Sequence, residues 1–297
     1  MTDADPSVDP STDPPRPWVA GAGRGAGGPD PVERRLTGQV AVVVGAGQTP
    51  GSTIGNGRAT AILLARDGAS VLAVDRDLGS ADETVAMIEA EGGIAAALRA
   101  DITSEDDCRA IADGVIERFG RVDVLVNNVG IGTGDTGATR LTEDSWDLIH
   151  DVNLKGMWLT CKHVLPLLRA QGSGSVVNIS SVAAVCSVGF LAYKTSKAGV
   201  NALTHQLAMT SAKRGVRVNA IMPGLMDTPM AIEGISQAAG MDPDELRRQR
   251  DAVVPLGAKM GTAWDVAEAV LYLASDRSRF VTGVILPVDG GQQARVG

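Results

Sequence analysis

Cysteine is scarce in this chain: Cys108, Cys161 and Cys186 stand at wide spacings, with no Cys-x-x-Cys pair. An odd number so arranged gives neither a disulfide framework nor a zinc site, and reads as reduced thiols in a cytoplasmic protein. Histidine is equally scarce, three scattered residues that suggest no metal cluster. Basic charge is outnumbered: 27 Lys and Arg against 35 Asp and Glu leave a net charge of −8. A nucleic-acid partner requires a cationic face, so that class is disfavoured. Long apolar runs are missing too; none approaches the roughly 18–20 residues of a membrane-spanning helix. What remains is a chain of 297 residues, 44% hydrophobic and 21% charged, ordinary for a soluble protein with one large core or two small ones.

The first 35 residues differ from the rest. They hold half of the prolines, four early aspartates (Asp3, Asp5, Asp9, Asp13) and a glycine run from Gly21 to Gly28. So little apolar surface does not offset the entropy of ordering, and the stretch is predicted to be a disordered tail. It lacks the basic start and apolar middle of a secretory signal.

From Gln39 the pattern is regular. Short β-branched runs (Val40–Val44, Ser70–Val74, Ile94–Leu98, Val122–Val126, Ser175–Ile179, Val216–Ile221, Val284–Val288) alternate with helical patterns. The helical stretches are Gly57–Arg66, Ser80–Ala90, Glu105–Phe119, Trp146–Arg169, Ala192–Lys213 and Ala263–Ala274. Near-continuous apolar strands alternating with helices predict an α/β fold, a Rossmann-type doubly wound, seven-stranded parallel sheet with helices on both faces. Residues 36–297 form the single predicted domain. Its alternation breaks at Pro229–Pro255, where a short helix (Asp244–Asp251) between loops suggests a substrate lid reaching to about 257.

The first strand runs into Gly45-Ala46-Gly47, and a helix opens after Gly55-Asn56-Gly57-Arg58. Glycines there let backbone N–H groups approach a pyrophosphate at the helix N-terminus. Asp75 ends the second strand, 18 residues after Gly57, where a carboxylate can accept hydrogen bonds from an adenosine ribose. A 2′-phosphate about 4 Å from that carboxylate would be repelled by roughly 4 kcal/mol at an effective dielectric near 20. NAD is therefore favoured over NADP, with Arg76 as the residue that would reverse the choice by pairing with a 2′-phosphate.

The chain has two tyrosines, and one lies in Tyr193-Lys194-Thr195-Ser196-Lys197, which puts a phenol and an ammonium one helical turn apart. A phenol of pKa near 10 is a poor acid–base group at neutral pH, and bringing it to about 7 needs on the order of 4 kcal/mol. A nearby ammonium in a partly dry site can supply that. Ser181, twelve residues before Tyr193, ends a strand and can face the same pocket.

Taken in order, Val40–Asp75, Asn127-Asn128-Val129-Gly130, Asn153, Ser181, Tyr193-x-x-x-Lys197 and Pro223-Gly224 resemble the short-chain dehydrogenase/reductase family over about Leu36 to Gly291. The resemblance implies Tyr193 as general acid/base and Lys197 as the group that lowers its pKa and bonds the nicotinamide ribose. It implies Ser181 as donor to the substrate oxygen, and Asn153 as anchor of a water in the proton relay. Ser180 reads as structural, since side chains alternate at a strand end. Asp101-Ile102 would contact the adenine, and Asn127 and Gly130 would line the cofactor cleft. Pro223-Gly224-Leu225 and Thr228 would hold the carboxamide, and Asp289-Gly290-Gly291 would be structural. Family members are commonly homotetramers or dimers paired through two long helices, here Trp146–Arg169 and Ala192–Lys213.

The glycine loop departs from the family pattern. Val44 stands where a threonine is usual, and Gly45 lies ten positions before Gly55, about six more than the family loop. The inserted Gln48–Thr53 either bulges outward or brings Ser52 or Thr53 to the pyrophosphate. The assignments of Gly47 and Gly51 therefore stay open, while Gly45, Ile54, Gly55 and Gly57 are the cofactor candidates. Met157, Trp158 and Leu159 read as core or subunit contact. Val185, Cys186, Phe190, Met226 and Met230 line a substrate site or pack in the core. The reading is an NAD-dependent oxidoreductase interconverting a small-molecule secondary alcohol and a ketone. Its alternatives are an NADPH-dependent ketoreductase of 3-oxoacyl or polyketide type and a non-catalytic nucleotide-binding scaffold or sensor.

Overall fold

The computed structural model describes residues 35–186 and 189–295; the stretch read as a tail lies outside these, Arg35 excepted. Nine strands follow in chain order among the described residues: β1 (Val40–Val44), β2 (Ser70–Asp75), β3 (Ile94–Arg99), β4 (Val124–Asn127), β5 (Gly174–Ile179), β6 (Val216–Pro223), β7 (Met226–Asp227), β8 (Gly261–Thr262) and β9 (Ile285–Val288). The helices are α1 (Asn56–Arg66), α2 (Leu78–Ala90), α3 (Glu105–Phe119), α4 (Glu143–His150), α5 (Met157–Gln171), α6 (Leu191–Ala212), α7 (Glu233–Ala239), α8 (Pro243–Ala252) and α9 (Ala263–Ala274). Polar side chains start several of them: Asp77, Ser104, Thr142 and Asp242 each accept a first-turn N–H, a contact worth about 1 kcal/mol.

Seven strands pair in parallel in the order β3-β2-β1-β4-β5-β6-β9. Alternate residues of each strand feed opposite faces. Ala41 and Val43 of β1 join Val71 and Ala73 of β2 in a core covered by α1 and α9. Val40, Val42 and Val44 join Leu72 and Val74 in a second core covered by α3 and α5. The sheet is thus a doubly wound Rossmann-type layer with helices on both faces. The crossover direction reverses between β1 and β4, and in such sheets ligands bind outside the carboxyl ends of the strands at that point.

Two regions differ from the sequence expectation. The long helix expected over Trp146–Arg169 is α4 and α5 joined by a π-helical segment, Asp151–Gly156. Gly156 presses on Ile102, whose Cγ1 would lie 2.7 Å from a Cβ at that position. A widened turn of this kind commonly marks a functional site, and it carries Asn153 here. The Pro229–Pro255 region holds two helices, α7 and α8, rather than one, over a small core of Ile232, Leu246, Val254 and Met260. The paired β7 and β8 fasten its two ends. With seven residues and no long apolar repeat, α7 leaves little trace in the sequence.

Candidate active site

Helix α6 brings the phenol and the ammonium to the strand ends. Lys197 is 2% exposed, with Nζ 5.7 Å from the centre of the Tyr193 ring and donating to the Ile179 carbonyl at 2.9 Å. Burial alone brings its pKa down to about 8. The Tyr193 phenol is raised above its ordinary value, because burial outweighs the hydrogen bond from Ser181 that favours the phenolate. In the protein without its cofactor, desolvation dominates the phenol, and the ammonium lies beside the Tyr193 ring. Ser181 also accepts from Ala183 N at 3.2 Å. The neighbouring Ser180 is buried, its hydroxyl donating to the Lys197 carbonyl at 3.1 Å.

Asn153 is fully buried. Its amide accepts from Ile131 N (2.8 Å) and donates to Ile131 O (2.9 Å) and to Ser196 Oγ (3.1 Å). This side chain clamps the loop after β4 to the helix that carries Tyr193. Asp135 went unnoticed in the sequence. Its buried carboxylate accepts from the N–H groups of Leu191 (3.0 Å), Ala192 (3.2 Å) and Tyr193 (2.7 Å), capping α6 at the catalytic tyrosine candidate. No periodicity or spacing marks an aspartate 58 residues upstream for that job. Lys194 fastens the neighbouring loop, donating to the Ala183 (3.1 Å) and Cys186 (2.6 Å) carbonyls.

Gly57 lies so close under the Gly45 carbonyl that a Cβ would collide with it, and Asn128 Nδ2 donates to that carbonyl at 3.0 Å. Asn128, quoted in the motif but not given a role, is therefore what fixes the loop. At Gly130 a Cβ would sit 2.9 Å from Lys197 Nζ, so only glycine leaves the ammonium its place. The Asn127 side chain bonds Asn178 (2.9 Å), Cys161 (3.3 Å) and Thr160 (2.7 Å) inside the core, while the residue lines a small pocket with Val44, Ile102, Val129 and Met157. Ile54 likewise packs inward, against Ala59, Ala263 and Ala267. Both side chains face the sheet and helix interior, so a cofactor would meet these two residues through their backbone.

Asp75 accepts from Gly47 N at 3.0 Å and Asp77 N at 3.1 Å, and a carboxylate with two oxygens retains further acceptor positions. Arg76 beside it is exposed. Asp101 is turned to Thr103, whose backbone N–H and hydroxyl bond it at 2.9 and 2.7 Å and hold its carboxyl below the usual range. Ile102 is buried under Gly156. Farther along, Gly224 N donates to Val288 O at 2.9 Å and Leu225 N to Gln292 Oε1 at 2.7 Å. Pro223 closes β6, and Thr228 is buried, its carbonyl accepting from Ala231 and Ile232. Asp289 accepts from Gly291 N and Gln293 N, both at 2.8 Å, which fixes the exit of β9.

The inserted loop folds back on itself and outward. Gln48 accepts from Gly55 N at 3.0 Å and its own N–H donates to Ser80 Oγ at 2.9 Å. The Gly55 N–H is therefore taken within the protein, leaving the first turn of α1, Asn56 to Arg58, as the N–H groups without intrahelical partners. Ser52 bonds Glu233 and Arg247 across the crevice, and Thr53 Oγ1 is buried without a partner. Of the two courses left open for the insertion, the structure shows the outward one, with the Ser52 hydroxyl engaged by the opposite bank.

Of the apolar candidates, Met226 belongs to the core, with its sulfur under Gly261. Val185, Phe190 and Met230 are exposed, and Cys186 is half-buried. Met157 and Leu159 are buried, while Trp158 is exposed under Lys162 Nζ, 5.6 Å from its ring. No group of metal-ligating side chains occurs among the described residues, and no helix there is long and apolar enough to cross a membrane.

A dinucleotide fits what is present: a crowded glycine turn below a helix start, a carboxylate at the end of β2, and a buried ammonium next to a glycine. Comparison with known proteins agrees. A family model described as enoyl-(acyl carrier protein) reductase matches residues 51–293. The 3-oxoacyl-(acyl-carrier-protein) reductase of Thermotoga maritima is 37% identical over 258 residues, covering 86% of this chain and 98% of its own. The cis-4-hydroxycyclohexanecarboxylate dehydrogenase of Sinomonas cyclohexanicum is 40% identical over 257 residues, 86% of this chain and 97% of its own. A solved structure described as a short-chain dehydrogenase/reductase from Burkholderia xenovorans matches with TM-score 0.81 at 40% identity, covering 89% of this chain and 99% of that one.

Proposed function

Since the chain belongs to the short-chain dehydrogenase/reductase family and is an NAD(P)-dependent oxidoreductase of alcohols and ketones, we propose that it uses NAD and oxidises a secondary alcohol at Tyr193. The observation that carries this is the meeting of Tyr193, Ser181 and Lys197 at one end of the crevice, with Asp75 at the other. When bound, the nicotinamide would supply the hydride acceptor. Tyr193 takes the alcohol proton, and the Ser181 hydroxyl donates to the substrate oxygen as charge develops there. Lys197 orients the ribose and stabilises the phenolate. Asn153 and Asp135 position the walls around them.

The apolar flank of Val185, Phe190 and Met230 supports a substrate with a compact hydrocarbon body, which the alicyclic alcohol named for the Sinomonas relative exemplifies. The test is direct. Incubation with NAD and a panel of cyclic and acyclic secondary alcohols should form NADH, whereas faster NADPH consumption with 3-oxoacyl thioesters would replace this reading by the reductive one. That second reading rests on Arg76, exposed beside Asp75. A homotetrameric, cytoplasmic enzyme paired through α4–α5 and α6 completes the proposal; exposed Trp146, Leu148, Trp158 and Met209 on these helices support it.

Asp135 yields a separate prediction. Truncation to Ala removes a carboxylate that accepts three charge-assisted hydrogen bonds at the start of α6. Turnover should fall by about tenfold or more, with NADH affinity nearly unchanged, while Asp135→Asn restores most of the rate because one acceptor oxygen remains. Equal losses of NADH affinity and turnover in Asp135→Ala, with no rescue by Asn, would show a general folding defect instead.

A further inference from the structure

We infer that the inserted segment Gln48–Thr53 is a clasp across the dinucleotide crevice, and that Ser52, Glu233 and Arg247 govern how fast the dinucleotide leaves. This rests on the dinucleotide reading above. The segment springs from the loop that joins β1 to α1, where the pyrophosphate would lie. Its base is fixed by Gln48, which bonds both Ser80 Oγ and Gly55 N. Its tip reaches the opposite bank. Ser52 Oγ donates to Glu233 Oε1 of α7 at 2.8 Å and accepts from Arg247 Nη2 of α8 at 2.9 Å, while Ser52 N donates to the same Glu233 oxygen at 3.2 Å. Arg247 ties this knot to its own bank, holding Glu233 at 3.0 Å, Asp227 at 3.3 Å and Asp244 at 2.9 Å.

Asp227 adjoins Thr228, the residue matched to the carboxamide-binding loop. The hydrogen-bonded bridge therefore runs from the pyrophosphate end of the crevice to its nicotinamide end. Gly51 makes the close approach possible: a Cβ there would lie 2.7 Å from Pro229 Cβ and 2.9 Å from Glu233 Oε2. The Glu233 carboxyl is held below its usual range: burial opposes this, but the Ser52 donors and the Arg247 charge outweigh it. A charged clasp therefore persists across neutral pH. Each link is partly exposed, and exposed ion pairs are individually weak and screened by salt. Such a clasp opens and closes rather than locking the crevice. It is one network sharing one arginine, so a single substitution should release it.

The test follows NADH leaving the purified protein, trapped by excess unlabelled NAD and read by tryptophan-to-nicotinamide energy transfer in a stopped-flow instrument. Ser52→Ala and Arg247→Ala should each speed release by about fivefold or more, the scale of one charge-assisted contact. Raised salt should speed release from the parent and barely affect Arg247→Ala. As a control, Arg109→Ala loses only an exposed pair with Asp106 on α3 and should leave the rate unchanged. Glu233→Gln, which keeps the shape, covers the case in which Arg247→Ala fails to fold. Release from Ser52→Ala and Glu233→Gln within about twofold of the parent, with no salt effect on the parent, would overturn the clasp. Failure of the parent to take up NADH or NADPH would overturn the dinucleotide reading itself, and is seen before any variant is made.

Discussion

Replacing Tyr193 by Phe is expected to lower turnover by about a thousandfold, the middle of the range for loss of a positioned acid–base group, while NADH still binds. The ring stays, so packing beside Lys197 and Gly132 is kept; only the hydroxyl that meets Ser181 is lost. The pH dependence has a definite sign. Burial raises the phenol pKa, so at neutral pH the hydroxyl is mostly protonated and alcohol oxidation waits on the phenolate. The parent's oxidation rate should therefore climb from pH 6 toward pH 9, and the residual rate of Tyr193→Phe should not follow that climb. Steady-state rates across this range check both statements. A variant as active as the parent would remove Tyr193 from the mechanism.

The second large effect runs in opposite directions for activity and stability. Lys197→Met should cost turnover on a similar scale yet raise the melting temperature. The ammonium is 2% exposed, and its pKa falls from 10.5 to about 8 through burial, so at pH 7 the fold carries a desolvated charge costing about 3 kcal/mol. Methionine fills a similar volume without that charge. About 1 kcal/mol is returned because the Ile179 carbonyl loses its donor. The net gain, about 2 kcal/mol, corresponds to a rise of roughly 4–8 °C for a domain of this size.

Linkage gives the check. The folded-state pKa lies below the unfolded one, so the cost is full below about pH 8 and disappears as pH rises toward 10.5. The stability gap between variant and parent should shrink over that window. A variant that melts lower than the parent at pH 7 would mean that the ammonium is stabilised by partners rather than penalised by burial.

Much of this molecule was legible in the sequence because its signals are local. Five consecutive residues, Val-Ala-Val-Val-Val, bounded by glycine, describe β1, and a carboxylate at the end of the next apolar run fixes Asp75. The four-residue spacing of Tyr193 and Lys197 needs only a helix to be meaningful, and α6 supplies it. What escaped reading depends on contacts distant in the chain or on which way a side chain turns. Asp135 caps a helix that begins 56 residues later. Asn127 sits in the family motif, and nothing in the motif says that its amide bonds Asn178 and Thr160 inside the core. Ile54 is apolar beside Gly55, and only the packing of α1 on α9 shows that its side chain turns inward. The inserted loop gave a length but not a direction, since its course is set by Glu233 and Arg247, 181 and 195 residues beyond Ser52. The π segment around Asn153 kept the helical apolar pattern, so nothing in the periodicity separated α4 from α5.

The central claim is an NAD-dependent crevice built on Asp75, with Tyr193 at its working end. It is tested most directly by titrating the purified protein with NADH and, separately, with NADPH, following energy transfer from tryptophan to the nicotinamide. The account predicts saturable binding of NADH at least about tenfold tighter than NADPH, from repulsion of a 2′-phosphate by the Asp75 carboxylate in a partly screened site. Tighter binding of NADPH would contradict it and shift the choice of cofactor to Arg76.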